Sequence, residues 1–160
     1  LFLRVEMRKV EILLANREWN PLSWAIRGKL GTNYCHVAVK FYSNILGCNL
    51  IYEANWKGVN LSTEDNWLRS GQNIVASKEI ELTKEAFALK IAEMGQYLGA
   101  PYGFLNLFEI ALGDMDLGKN KGLICSQVGY LWVKELIHID KPEELITPKD
   151  IAKALGIKKT

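Results

Sequence analysis

Residues 126–137 (SQVGYLWVKELI) constrain this chain more than any other stretch, because a helix over them is apolar on almost every side. Such a helix has no face to give to water and must be enclosed by the rest of the domain. The chain has the material to enclose it: 160 residues, 49% of them hydrophobic. A domain of that size buries about two-thirds of its unfolded surface, so it needs neither disulfide nor metal to fold. The whole of residues 1–160 reads as one domain, with no repeat and no low-complexity linker.

The cover is predicted to be a sheet. Residues 9–15 (KVEILLA) and 36–42 (HVAVKFY) are rich in β-branched and aliphatic residues and read as strands. Residues 43–48 read as a turn, 49–54 as the returning strand, 58–62 as a short third strand and 73–82 as another. Pro21 opens a short helix that Gly28, Gly31 and Asn33 end. Thr83 is a helix N-cap, and Phe87, Ile91, Met94 and Leu98 mark one apolar helical face that Gly99-Ala-Pro101 stops. Residues 104–112 read as an apolar helix and 113–122 as a polar loop. Thr147-Pro-Lys-Asp150 is a capping signal for a last helix at 151–155. Strands fill the first half and helices the second, which is an α+β arrangement.

Composition removes several functions. Twenty basic residues against 18 acidic leave a net charge of +2, with no basic block. Duplex binding needs a concentrated cationic face, so nucleic acid is not an expected partner. The longest uncharged stretch, 94–108, is broken by Gly and Pro and is too short to cross a bilayer. No signal peptide is evident. The first six residues read as a trimmed or added terminus, with Met7 as the natural start. Three cysteines (Cys35, Cys48 and Cys125) form neither a disulfide framework nor a zinc site, so no metal and no cofactor are expected. Asn60-Leu-Ser62 matches a glycosylation sequon and is taken as chance.

The three thiols differ in setting. Cys125 opens the apolar helix, where free N–H groups favour a thiolate and offer donors to a developing oxyanion. A thiol nucleophile also needs a base and a group that orients the base. The chain has two histidines, and His138 lies near the far end of the Cys125 helix. His36 starts a strand and Glu53 ends the next. A hairpin centred between Asn44 and Ile45 sets these two directly opposite, with their side chains on one face. Cys35 is expected on the other face and Cys48 in the turn. Against this stands the bland reading of Cys125 as a small buried residue.

The order of motifs resembles the permuted NlpC-like papain-fold cysteine hydrolases, the YiiX/YaeF-type group, in which the sheet segment with His and acid precedes the Cys helix. The segments that carry it are Pro21-Leu-Ser-Trp-Ala-Ile-Arg27, Tyr34-Cys-His-Val-Ala-Val39, Ile51-Tyr-Glu-Ala54 with Gly58-Val59, Gly99-Ala-Pro-Tyr102, Cys125-Ser-Gln-Val128 and Ile146-Thr-Pro-Lys-Asp150. They span roughly residues 9–155. Gln127 stands where the family often has an acid, and Cys35 where it often has Ser.

The resemblance implies a circularly permuted papain-like fold, with an antiparallel sheet packed on a central Cys-bearing helix. It implies a peptidase or amidase that cleaves through an acyl-enzyme, with Cys125 as nucleophile, His36 as base and then acid, and Glu53 as orienter. Tyr102 is implied beside the nucleophile as an oxyanion or substrate contact. Arg27 and Gln127 are weighed as substrate contacts, with packing roles favoured. Cell-wall peptides are the substrate class it suggests. With no leader evident, the protein is expected in the cytoplasm, or to reach a wall by lysis or in a phage particle, or to have a leader that this sequence does not include. The alternatives are a thioesterase or acyltransferase using the same residues, and a binding module without turnover.

Overall fold

The computed structural model describes residues 5–17, 21–103 and 122–158. The expected helix at 104–112 and the loop that follows it to residue 121 lie outside them. Strand β1 (Met7–Arg17) is followed by helix α1 (Pro21–Leu30), strands β2 (His36–Ser43), β3 (Cys48–Asn55) and β4 (Gly58–Thr63), and helix α2 (Glu64–Arg69). Then come strand β5 (Gln72–Thr83), helix α3 (Lys84–Gly95), helix α4 (Cys125–Val133), a single 3-10 turn (Glu143–Leu145) and helix α5 (Pro148–Ala154). The strands form one five-stranded sheet in the order β4-β3-β2-β1-β5, antiparallel at every pairing. The protein is α+β.

Strand β1 lies inside the sheet, and its residues Val10, Ile12, Leu13, Leu14 and Ala15 are all buried. Alternation sorts them onto two faces. Val10, Ile12 and Leu14 join Val37, Val39, Phe41, Leu50 and Tyr52 in the main core, against Val128, Leu131 and Trp132 of α4. Trp132 stacks on Phe41 at 5.6 Å between ring centroids. Helix α4 comes close to β2 at Gly129, where a Cβ would collide with the side chain of Val37. Leu13 and Ala15 face the other way and form a smaller cluster with Ala38, Ile51 and Trp67.

The caps read from the sequence are present. Thr83 Oγ1 accepts from the Ala86 N–H at 3.1 Å. Thr147 and Asp150 cap reciprocally, with Asp150 Oδ2 accepting from the Thr147 N–H at 3.0 Å and Thr147 Oγ1 from the Asp150 N–H at 3.2 Å. Helix α3 ends at Gly95 and not at Leu98, because the chain tightens into i to i−3 bonds from Gln96 onward. Helix α4 likewise ends at Val133, four residues short of the expected 137, in a turn where the N–H groups of Leu136 and Ile137 both reach the Val133 carbonyl. Gly28 does not end α1, which runs on to Leu30. Helix α2 had no counterpart in the sequence reading. No helix among the described residues is long and apolar enough to cross a membrane.

Candidate active site

The β2–β3 turn decides which side chains meet. Gly47, at φ 66°, takes the left-handed conformation, and its N–H bonds the Ser43 carbonyl at 2.8 Å. Ser43 therefore pairs with Cys48 and Val39 with Tyr52. Continued along the strands, this register sets Glu53 opposite Ala38, not opposite His36. The directly opposed pair expected from the sequence is thus corrected to a diagonal one. Sliding the pairing by two residues keeps every side chain on its face, because the strand period is two. A long side chain spans a diagonal.

The diagonal closes. His36 Nε2 lies 2.5 Å from Glu53 Oε2. Trp67 Nε1–H donates to the same oxygen at 2.7 Å, and Asn55 Nδ2–H donates to Glu53 Oε1 at 2.7 Å. Glu53 is 3% exposed, a burial tolerable for a charge only when its oxygens are satisfied. Burial works to raise the Glu53 pKa, but the hydrogen bond and charge of His36, with those from Trp67 and Asn55, hold it below the ordinary value.

Sequence reasoning did not assign Trp67 and Asn55 this role. A signal for the first was present: Thr63 ahead of Glu64 and Asp65 is a cap followed by acids, and Thr63 does cap α2. Helix α2 turns Trp67 inward, at 2% exposure, over Glu53.

Cys125 is the first residue of α4 and is buried. Its sulfur lies 3.9 Å from the Cys35 carbonyl oxygen, at the entrance to β2. There it interacts with the His36 ring. With Nε2 engaged by Glu53, Nδ1 is the ring nitrogen left for the sulfur. Burial works to lower the His36 pKa, but the neighbouring Cys125 sulfur and the Glu53 carboxylate outweigh it and hold the pKa well above the ordinary imidazole value. The start of α4 is fixed on both sides. Gln127 Oε1 accepts from the Ile124 N–H at 2.9 Å, and Ser126 Oγ–H donates to the Ile146 carbonyl at 2.5 Å. Gln127 thus has a local capping role.

Tyr102 is brought to the same place by a short parallel bridge to Leu123, two residues before Cys125. Gly122 makes the bridge possible, since a Cβ there would come within 2.6 Å of the Tyr102 carbonyl carbon and the Gly103 nitrogen. Burial pushes the Tyr102 phenol pKa far up, and Cys125, Cys35 and Glu53 push it further. The hydroxyl is therefore held as a neutral donor.

Cys35 departs from expectation. It precedes β2, so strand alternation does not govern it, and its sulfur lies 2.9 Å from Ser23 Oγ, close enough to interact with Cys125, His36 and Arg27. Burial raises its pKa, and the Ser23 hydrogen bond opposes that. Cys48 starts β3 opposite Ser43, at the other end of β2. The structure therefore gathers Cys125, His36, Glu53 and Tyr102, and adds Cys35, Trp67 and Asn55. Among the described residues, no group of three or more His, Cys, Asp and Glu side chains is arranged to hold a metal ion.

No family model matches this chain, and no curated protein matches it.

Proposed function

We propose that this chain is a thiol hydrolase of the permuted NlpC-like papain type, in which Cys125 attacks a carbonyl carbon and His36 manages the proton. The observation that carries the reading is the His36 ring, held by Glu53 at 2.5 Å through Nε2, with the Cys125 sulfur near enough to favour its charged form. The order His36, Glu53, Cys125 supports the permuted type. So does the packing of the Cys125 helix on a five-stranded antiparallel sheet.

In this reading the Cys125 sulfur forms a bond to the substrate carbonyl carbon, and His36 takes the thiol proton. The raised His36 pKa suits the next step, in which the ring gives that proton to the leaving amine as the C–N bond breaks. A water molecule, losing a proton to His36, then releases the acid from the acyl-enzyme and restores the thiol. Glu53, fixed by Trp67 and Asn55, keeps the ring oriented throughout. The Cys125 backbone N–H and the Tyr102 hydroxyl are the candidate donors to the oxyanion. Peptide or amide bonds are the substrate class, with cell-wall peptides first among them.

The test is turnover on three panels: peptidoglycan fragments, simple amides and acyl thioesters. Cys125→Ala and His36→Ala should each lose at least several hundredfold, as general acid–base groups typically contribute about 100- to 10,000-fold. Retained turnover in Cys125→Ala contradicts the reading. Cleavage confined to thioesters replaces the amidase assignment with the thioesterase one.

A further inference from the structure

The proposed chemistry uses one thiol, yet two lie at the site. Cys35 is pinned at the entrance to β2, where its N–H bonds the Ala15 carbonyl at 3.0 Å. Cys125 is pinned at the start of α4, where Ser126 and Gln127 hold the chain. The Cys125 sulfur lies 3.9 Å from the carbonyl oxygen of Cys35 itself. Bond lengths then put that sulfur within about 7 Å of the Cys35 Cα. A disulfide spans about 4.4–6.8 Å between its two Cα atoms, a separation of the same order.

The two thiols are unequal. The Cys35 sulfur is engaged by Ser23 Oγ at 2.9 Å, a neutral partner that holds it without ionising it. Burial raises the Cys35 pKa, so this residue stays a protonated thiol beside the one that His36 activates. Cys48 starts β3 opposite Ser43, about 23 Å along β2 from His36, and has no access to either sulfur. A Ser at position 35, frequent in the family this chain resembles, could form no bond to Cys125. The Cys found here can.

We propose that Cys35 and Cys125 form a reversible disulfide when the protein meets a peroxide, and that Cys35 thereby spares Cys125 from irreversible oxidation. The Cys125 sulfur attacks one oxygen of hydrogen peroxide, forming an S–O bond as the O–O bond breaks. The other oxygen leaves as water with the Cys125 thiol proton, held meanwhile by His36. The Cys35 sulfur then attacks the Cys125 sulfur. The S–S bond forms, the S–O bond breaks, and that oxygen leaves as water with the Cys35 proton. Two thiols give up two electrons, and one peroxide takes them to become two waters. A dithiol reverses the link by exchange. The effect of the link on turnover rests on the hydrolase reading. The link itself does not.

The test treats the full, reduced chain with hydrogen peroxide, caps the remaining thiols with iodoacetamide and reads the unreduced peptides by mass spectrometry. Turnover is followed before oxidation, after it and after dithiothreitol. A peptide linking Cys35 to Cys125 is expected, with Cys48 capped. Turnover should fall at least about tenfold and return with dithiothreitol. Cys35→Ser should form no such peptide, and its Cys125 should go on to sulfinic acid. Dithiothreitol should then restore at least about tenfold less of that variant's own starting turnover. Cys48→Ser should behave as the unaltered chain. Peroxide that carries Cys125 of the unaltered chain straight to sulfinic acid overturns the proposal. So does a link through Cys48, or full recovery of Cys35→Ser. A Cys35–Cys125 link in a chain that cleaves no substrate upholds the pairing and overturns the hydrolase reading instead.

Discussion

The two faces of the sheet bury tryptophans for different ends. Trp132 lies in the main core between Phe41, Tyr52 and Phe87, and its buried indole N–H has no hydrogen-bond partner among the described residues. Trp67 lies in the small cluster on the other face, and its N–H is committed to Glu53. One ring contributes area and contact to the core, and the other contributes a fixed donor beside a buried charge. The main core is therefore read as the source of stability, and the small one as the frame that holds His36 in place.

The sharpest way to break this contrast is to remove each ring. Trp132→Ala should cost about 3–5 kcal/mol in chemical denaturation, the usual range for deleting a buried aromatic. Its turnover at a temperature where it stays folded should change much less. Were the catalytic loss to exceed the stability loss, the faces would not be separable. Trp67→Phe keeps an aromatic ring and deletes the donor. It should cost about 1–3 kcal/mol, the penalty for leaving a buried acceptor short of a partner. Here kcat should fall more than the stability loss explains, and the pH profile should shift, because Glu53 then holds His36 less firmly. An unchanged profile would make Trp67 a packing residue only.

The paired charges give a smaller effect with a definite sign. Glu53 has a lowered native pKa, so its contribution is complete above about 4.5 and disappears as pH falls through the native value. His36 has a raised native pKa, so its contribution is complete below about 6.5 and disappears as pH rises through the native value. The stability gap between the protein and the His36→Gln, Glu53→Gln double variant should thus be widest between about pH 4.5 and 6.5, and close on both sides. A gap that widens above pH 7 would contradict the assigned directions. The Thr83→Ala cap variant, at the end of β5, should cost about 1 kcal/mol and leave turnover alone.

Much of this was legible in the sequence because it rests on local rules. Alternation located the strands, and side-chain oxygens at Thr83 and Thr147 located two helix starts. The pairing of His36 with Glu53 was legible on weaker ground. The turn was centred one position early, and the face survived because the register moved by two. What escaped was non-local or short. Helix α2 spans six residues, too few for an apolar period to show, so its one signal was the Thr63 cap ahead of Glu64 and Asp65, which does not say where Trp67 points. Cys35 lies just outside the strand whose alternation was used to place it. The approach of Tyr102 to Cys125 depends on a backbone bridge past Gly122 that no periodicity encodes.

The central claim is that His36 activates Cys125. Competition among the three thiols for a limiting amount of iodoacetamide at neutral pH, read by peptide mass spectrometry, tests it most directly. The account predicts that Cys125 is labelled ahead of Cys48 despite its burial, and that His36→Ala slows Cys125 at least about tenfold while leaving Cys48 unchanged. Labelling of Cys125 no faster than Cys48, or at a rate indifferent to His36, would contradict it.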